Sequence, residues 1–543
     1  MFETNPANHI PRRSWWLPTA AVAGLLIVAP SMAWVASDFQ QFSGWLAYLA
    51  VLIAGAAILW LGWRSLAAEP RPAWLGGLLI LAALLRLGLG IFWSAALPVW
   101  GYQSPVEQAG YVMQDAYKRD TAAWKLAESG ESLWNAFTAY RSSDQYGGLL
   151  FVSALVYRAL GGEIHRPLLM VVIGAAFSAL AVIFTWAFGR RLLGERTAAV
   201  AAWGIALYPE AVLLGSTQMR EAYTIPLAAI AIYGLLRYRQ DHHTGWLVGL
   251  LGALLVSLLL SPPSAVIILV VLILLALALE EFRILRRKTL WLVLGLLVFL
   301  ALIGLWLAWS QIAPPGVSSP LGMLTWWLHK AADLQAFQAR QASGWVQRIF
   351  RSTPDQLHLP LLVLFGGVQP FLPAALGAGG APIWQAIAIW RALGWTILLI
   401  LLVYALWMWL RSSRRSTVLG AMQLVVWAVI LIASLRSGGD QWDNPRYRAT
   451  LASVQVVVAA WGLIEGRRTS DPWLRRVLVG TGLVFAWFVP WYLRRYTGFS
   501  WPVVDPFKTL GLGLASAALY FLWDWARLQP DHRPSIATKS HAE

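Results

Sequence analysis

Asp115, Arg119 and Asp120 fall within six positions of one another. They open a polar interval, YVMQDAYKRDTAAWKLAESGESLWNAFTAYRSSDQYGGLLFVSALVYRAL from Tyr111 to Leu160, in a chain whose first half is otherwise mostly apolar. A carboxylate at the edge of an apolar body can act as a general base, taking a proton from an attacking hydroxyl. From Tyr117 to Glu128 the pattern is helical, with Trp124 and Glu128 at four-residue steps from Asp120. Asp115 precedes Asp120 by five positions, about 140° around an ideal helix, so one continuous helix would not present both on one face. Asp115 therefore suits the helix start, where the backbone N–H groups and the helix dipole favour a carboxylate. Either Asp115 or Asp120 could be the base, and a capping role for Asp115 is the bland alternative. Two further polar groups recur later in the sequence, Arg220-Glu221 and the run SGGDQWDNPRYR, which holds Asp443, Arg446, Tyr447 and Arg448. Arg119, Arg220, Arg446 and Arg448 are candidate donors to an anionic group, since a guanidinium can grip a phosphate through two parallel hydrogen bonds. Each has a structural reading as well. Arg119 can pair with Asp115 four residues before it, Arg220 with Glu221, and Asp443 with Arg446 and Arg448 in a solvated loop.

These residues need elements to carry them, and composition says which. Hydrophobic residues make up 58% and charged residues 13% of the 543 residues, and apolar runs of about 20 residues recur, as in helices that cross a bilayer. The fold class is all-α, a polytopic integral membrane protein with about fourteen transmembrane helices and interfacial helices in its first long outer loop. The candidate spans are 17–36, 45–63, 74–97, 167–188, 197–215, 222–238, 244–261, 263–279, 289–310, 389–410, 417–434, 449–464, 474–492 and 508–526. Tyr146–Leu160 and the Pro-rich stretch 359–384 read as interfacial or re-entrant. Counting either as a span would send Arg190, Arg191 and Arg196, or Arg411, Arg414 and Arg415, away from the cytoplasmic side that the distribution of basic residues prefers. Residues 1–529 then form a single membrane domain with outer loops at about 98–166 and 311–388, and 530–543 a disordered cytoplasmic tail. Both termini are expected in the cytoplasm and the polar groups outside it. The 34 Trp suit interfacial anchors. The absence of Cys excludes thiolate and disulfide chemistry. The net charge of +16 is spread over short loops, a pattern of membrane topology and not of nucleic-acid binding.

The order of these features resembles the GT-C-type polytopic membrane glycosyltransferases, in the branch of the protein O-mannosyltransferases and the lipid A aminoarabinose transferase. Asp115 is followed by Ala123, Trp124, Leu126 and Ser129-Gly130, then by Tyr146–Leu160, the run 167–188, the basic turn Arg190-Arg191-Leu192-Leu193-Gly194-Glu195-Arg196, and Tyr208-Pro209. The match covers roughly 74–310. It departs from the branch at Ala116, where Glu is common, and at Ser143-Asp144-Gln145-Tyr146, where Lys-Pro-Pro is often found.

The resemblance implies transfer of a sugar from a polyprenyl-phosphate-linked donor to an acceptor hydroxyl on a glycan, lipid or protein at the extracytoplasmic face. Asp115 would be the base, Asp120 its second carboxylate, and Arg119, Arg220, Glu221, Asp443, Arg446, Tyr447 and Arg448 the contacts to substrate and lipid phosphate. No cofactor is required by the motif, and a divalent cation at Asp115 and Asp120 stays open. Trp326, Trp327, His329 and Lys330 are weaker candidates for sugar or headgroup contact, while His242 and His243 read as a solvated pair. An O-antigen-type polymerase or ligase would share the lipid-linked donor. A flippase would bury charge at mid-membrane, for which Arg86 is the clearest candidate.

Overall fold

A computed structural model describes residues 27–36, 39–279 and 352–528 except 378, 414 and 439, with a few isolated positions in 280–351. All regular secondary structure among the described residues is helical. Helices α1 (Phe42–Ser65) and α2 (Ala73–Trp100) come first, followed by a short α3 (Pro105–Gln108). The polar interval then gives α4 (Gln114–Glu128), a 3₁₀ turn (Leu133–Phe137) and α5 (Gly148–Leu160). After it come α6 (Leu168–Leu193), α7 (Glu195–Leu207), α8 (Pro209–Gly215), α9 (Glu221–Asp241), α10 (Thr244–Leu260) and α11 (Pro262–Leu279). The later part holds α12 (Asp355–Val368), α13 (Leu372–Gly377), α14 (Pro382–Arg411), α15 (Thr417–Ser437) and α16 (Asp443–Ala449). It closes with α17 (Ala452–Arg468), α18 (Pro472–Thr497) and α19 (Pro506–Leu528).

Seven of these helices are long and apolar enough to cross a membrane, and nine spans result if each of two bent helix pairs counts as one. The chain is thus a helical membrane protein with fewer clear spans among its described residues than the apolar runs suggest. Apart from isolated positions, the candidate span at 289–310 lies outside the described residues, as do the first half of the span at 17–36, Trp327, His329, Lys330 and the tail 530–543, whereas Trp326 is one of the isolated described positions. Two other runs are not single straight spans. The run 197–215 breaks at Tyr208-Pro209, where α7 and α8 meet at 52°, because the residue before a proline is pushed out of the helical region. The run around 449–464 belongs to α17, which meets α16 at 80°.

Helix α6 is the axis of the bundle. It packs against α1, α2, α7 and α9, and 89% of its apolar window is buried inside the protein. Gly189, where a Cβ would press on Val457, and Ala187 and Ala198 let neighbouring backbones come close. At the opposite end from α4, the buried Glu69 gathers Arg190 (2.9 Å), Arg191 and the Tyr233 hydroxyl (2.9 Å), which fixes the basic turn after α6.

Helix α5 is placed by its N-cap, Gly147, and its first residue, Gly148. Gly147 has φ 76°, a left-handed conformation that glycine adopts without strain. At Gly148 the backbone carbonyl of Leu259 occupies the space a Cβ would need, so the polar interval docks directly on the end of α10.

Candidate functional site

Three acidic residues occupy the first turns of three helices, Asp115 in α4, Glu221 in α9 and Asp443 in α16. Helix N-termini favour negative charge there. All three converge on Arg446, which lies 3.1 Å from Asp115 Oδ2, 3.4 Å from Glu221 Oε1 and 3.1 Å from Asp443 Oδ1. The guanidinium is mostly enclosed, with 13% of the side chain exposed, while Asp115 keeps 53% of its side chain open. An accessible carboxylate is thereby held in place by a cation that itself faces inward. Asp440 prepares the geometry. Its Oδ1 accepts from the backbone N–H groups of Trp442 (2.7 Å) and Asp443 (2.6 Å), shaping the turn into α16.

A second carboxylate centre lies beneath the first. Asp144 is buried and accepts from Arg220, lies 3.4 Å from Arg119 Nε, and receives the backbone N–H of Leu150 at 3.1 Å. Arg119 also donates to the Gln218 carbonyl at 3.0 Å, and Arg220 lies 4.6 Å from the Tyr146 ring centre. Burial lowers the pKa of the Arg119 guanidinium, with Asp144 acting against that shift. Both arginines are therefore committed to a protein carboxylate. Asp144 carries no catalytic signal in the sequence, yet it ties the loop before α5 to the start of α9.

Asp120 sits elsewhere. It is buried, accepts from the Tyr111 and Tyr157 hydroxyls, and has its Oδ2 2.7 Å from His165 Nε2. His165 stacks on Trp124 at 5.4 Å and meets Tyr157 edge-on at 5.2 Å. Burial, then the adjacent Asp120, pushes the Tyr111 phenol well above its ordinary pKa, so it stays a hydrogen-bond donor. The structure thus separates the two carboxylates of α4, with Asp115 at the Arg446 hub and Asp120 in an aromatic network behind it.

Tyr447 and Arg448 diverge as well. Tyr447 carries the Arg436 guanidinium 4.1 Å from its ring centre. Arg448 is buried against Trp395, 3.3 Å from the ring centre, and donates to the Gln369 carbonyl at 2.7 Å, so it packs α16 onto α14. Arg436, at the end of α15, was not singled out from the sequence. It is a site guanidinium that forms no ion pair with any described residue, and its place at the end of an apolar run was the available signal.

Deeper in the bundle, Arg391 of α14 grips Glu210 of α8 through two hydrogen bonds of 2.7 and 3.0 Å, both side chains being buried. Arg86 is fully buried, and its role is explained by the α7–α8 break. It donates to the carbonyls of Ile205 (3.2 Å), Ala206 (3.3 Å) and Ala82 (3.1 Å) and to Ser178 Oγ (3.1 Å). Pro209 lacks the N–H that would otherwise reach the Ile205 carbonyl. A buried arginine here serves the backbone of a broken helix.

Two hollows adjoin the site. An apolar groove of about 540 Å³ runs between α2 and α14, walled by Phe92, Trp93, Trp100, Ile383, Ile387 and Trp390 among others. A smaller cavity of about 210 Å³ lies behind Ala116. Among the described residues no group of three or more His, Cys, Asp or Glu is arranged to hold a metal ion. Asp115, Glu221 and Asp443 are gathered on a guanidinium, that of Arg446. His242 and His243 lie in the exposed turn between α9 and α10, where His243 Nδ1 accepts from the Gly245 N–H.

Comparison with known proteins bears on the same half of the chain. Residues 154–309 match the family described as dolichyl-phosphate-mannose-protein mannosyltransferase. The matched segment starts within α5, so it includes α6 to α11 and Glu221 and leaves out Asp115. None of the curated proteins matches. Among solved structures, the archaeal oligosaccharyltransferase AglB from Archaeoglobus fulgidus, in complex with an inhibitory peptide and a dolichol-phosphate, aligns with a TM-score of 0.40 and 16% identity. The alignment takes in 85% of this chain and 58% of that one. Over residues 154–309 the chain is similar to the dolichyl-phosphate-mannose-protein mannosyltransferase family, within the broad resemblance that its motifs carry.

Proposed function

We propose that the protein is a membrane glycosyltransferase that moves a sugar from a polyprenyl-phosphate-linked donor to an acceptor hydroxyl at the extracytoplasmic face. The observation that carries this reading is the Asp115–Arg446 pair, an exposed carboxylate at a helix start positioned by a residue from the far half of the chain. Asp115 takes the proton of the acceptor hydroxyl. The acceptor oxygen then forms a bond to the anomeric carbon as the bond from that carbon to the phosphate oxygen breaks, and polyprenyl phosphate leaves.

The leaving phosphate gathers negative charge, which preorganised cations stabilise. Arg119 and Arg220 are held by Asp144, Arg448 is buried on Trp395, and Arg446 is surrounded by three acids. Arg436 is the cation best placed for the phosphate, because it lies over Tyr447 without a carboxylate of its own. The isoprenoid tail suits the apolar groove between α2 and α14. Glu221 and Asp443 act on Asp115 only through Arg446, as positioning residues. Asp120 holds the aromatic network, and the reaction does not route through it. The match to the mannosyltransferase family over 154–309 supports a lipid-linked donor, and the positive-inside distribution of the far-end arginines supports the sidedness.

Incubation of the purified protein with a panel of polyprenyl-phosphate sugars and hydroxyl acceptors, followed by mass spectrometry of the lipid, tests the reading. Appearance of free polyprenyl phosphate with glycosylated acceptor is expected. Uptake of an intact lipid-linked oligosaccharide with growth of the glycan would instead establish a polymerase or ligase.

A further inference from the structure

The small cavity behind Ala116 has a composition that the transfer step does not use. Its polar wall is made by Ser94, Tyr111, His165, Ser216, Thr217 and Gln218. These residues come from α2, from the segment before α4, from the turn before α6 and from the turn between α8 and α9. Only Ser216, Thr217 and Gln218 are neighbours in sequence, and the fold brings the others to them.

The polar groups are fixed before any ligand arrives. Asp120 anchors Tyr111 and His165. Gln218 is held by side chain and backbone, its Nε2 donating to the Pro167 carbonyl at 2.9 Å and its backbone carbonyl accepting from Arg119 at 3.0 Å. Ser94, Ser216 and Thr217 each give their hydroxyl proton to a backbone carbonyl, those of Ile91, Leu213 and Leu214. A hydroxyl that has donated still has acceptor capacity. The wall therefore offers a set of preset acceptors, which suits a ligand rich in hydroxyl donors.

The cavity also has an apolar side. Trp93 walls it on one face and the apolar groove between α2 and α14 on the other. Its indole N–H is taken up by Ser216 Oγ at 3.0 Å, which fixes the ring as the partition. A ligand with an apolar tail and a compact polyhydroxylated head would find both surfaces adjacent. The volume of about 210 Å³ is well below the 540 Å³ of the apolar groove, which suits a compact head more than an extended one.

We infer that this cavity is the binding site for the single sugar of the donor lipid, with His165, anchored by Asp120, as a sugar-contacting residue. Ala116, the neighbour of Asp115, forms part of the wall, so the sugar lies against the helix start that bears the base. The inference rests on the reading of the chain as a lipid-linked sugar transferase.

The test compares binding of polyprenyl phosphate with binding of the same lipid bearing one sugar, drawn from a panel, to the full-length protein in detergent. Variants His165→Gln and Ser94→Leu remove a contact and fill the cavity, respectively. Wild type should bind at least one sugar-bearing lipid at least about fivefold more tightly than the bare phosphate, the worth of about one hydrogen bond, and both variants should lose that increment while binding the bare phosphate normally. Retention of the increment in both variants would overturn the sugar site and leave the transferase reading standing. An absence of any sugar increment in wild type would also overturn the site. Failure of wild type to bind polyprenyl phosphate at all would overturn the transferase reading and the inference with it.

Discussion

Arg446 Nη1 lies 3.1 Å from Asp115 Oδ2 although 331 positions separate the two residues. The contact is made possible by three helix starts meeting at one end of the bundle. Glu221 and Asp443 hold the guanidinium from two sides, so its direction toward Asp115 is set by the fold and not by the pair alone. A general base gains from such constraint, because misplacement by about 1 Å can reduce a rate about 100-fold.

Arg446→Ala releases Asp115 and leaves Glu221 and Asp443 facing each other. The expected result is a fall of about 100-fold in kcat with the donor KM changed far less. Arg446→Lys, which keeps the charge and loses the fork, should recover part of the rate. Steady-state kinetics of both variants provide the check, and a pure KM effect would move Arg446 into donor binding.

Arg436→Ala should act in the opposite way. A charge-assisted hydrogen bond contributes about 1.5–3 kcal/mol, so loss of the phosphate contact should weaken binding of polyprenyl phosphate by about 10- to 100-fold. Titration with the bare lipid phosphate measures this without turnover. Affinity equal to wild type would return Arg436 to a packing role over Tyr447.

Arg391 and Glu210 form a buried, bidentate pair. Arg391→Leu strands the Glu210 carboxylate and should reduce stability by about 3–5 kcal/mol. The double variant Arg391→Leu with Glu210→Leu should recover much of that loss, since two apolar side chains replace two buried charges. Thermal unfolding in detergent distinguishes the two outcomes, and equal damage in single and double variants would contradict the charge argument.

Arg86→Leu uncovers the carbonyls of Ile205 and Ala206 at the α7–α8 break. Each buried acceptor left without a partner costs about 1–3 kcal/mol, so a clear fall in Tm is expected, with donor affinity retained in whatever fraction folds. Loss of affinity with an unchanged Tm would give Arg86 a direct part in the site.

Much of this organisation is legible in the chain itself. The apolar runs announce the helices, and the polar interval after Trp100 announces a loop structure with Asp115 at a helix start. Asp443 and Arg446 stand out because charges are scarce beside apolar runs. Other features depend on contacts that no local pattern encodes. Asp144 becomes a buried centre only when Arg119 and Arg220 reach it from different elements. Asp120 looks like a solvent-facing acid in a polar helix, but Tyr157 of α5 and His165 just after that helix enclose it. Arg436 ends an apolar run as many arginines do, and only the placement of Tyr447 distinguishes it. Helix breaks were partly readable. Pro209 marks one, whereas the 80° bend between α16 and α17 has no proline at its vertex, Thr450-Leu451.

The most direct test is turnover of an identified polyprenyl-phosphate sugar by wild type and by Asp115→Asn, at matched expression and matched Tm. Asparagine keeps the shape and the contact distance to Arg446 while removing the proton acceptor. A fall of about 100- to 10,000-fold in kcat, with donor binding intact, is the expected result for loss of a general base. Turnover equal to wild type would show that Asp115 is not the base.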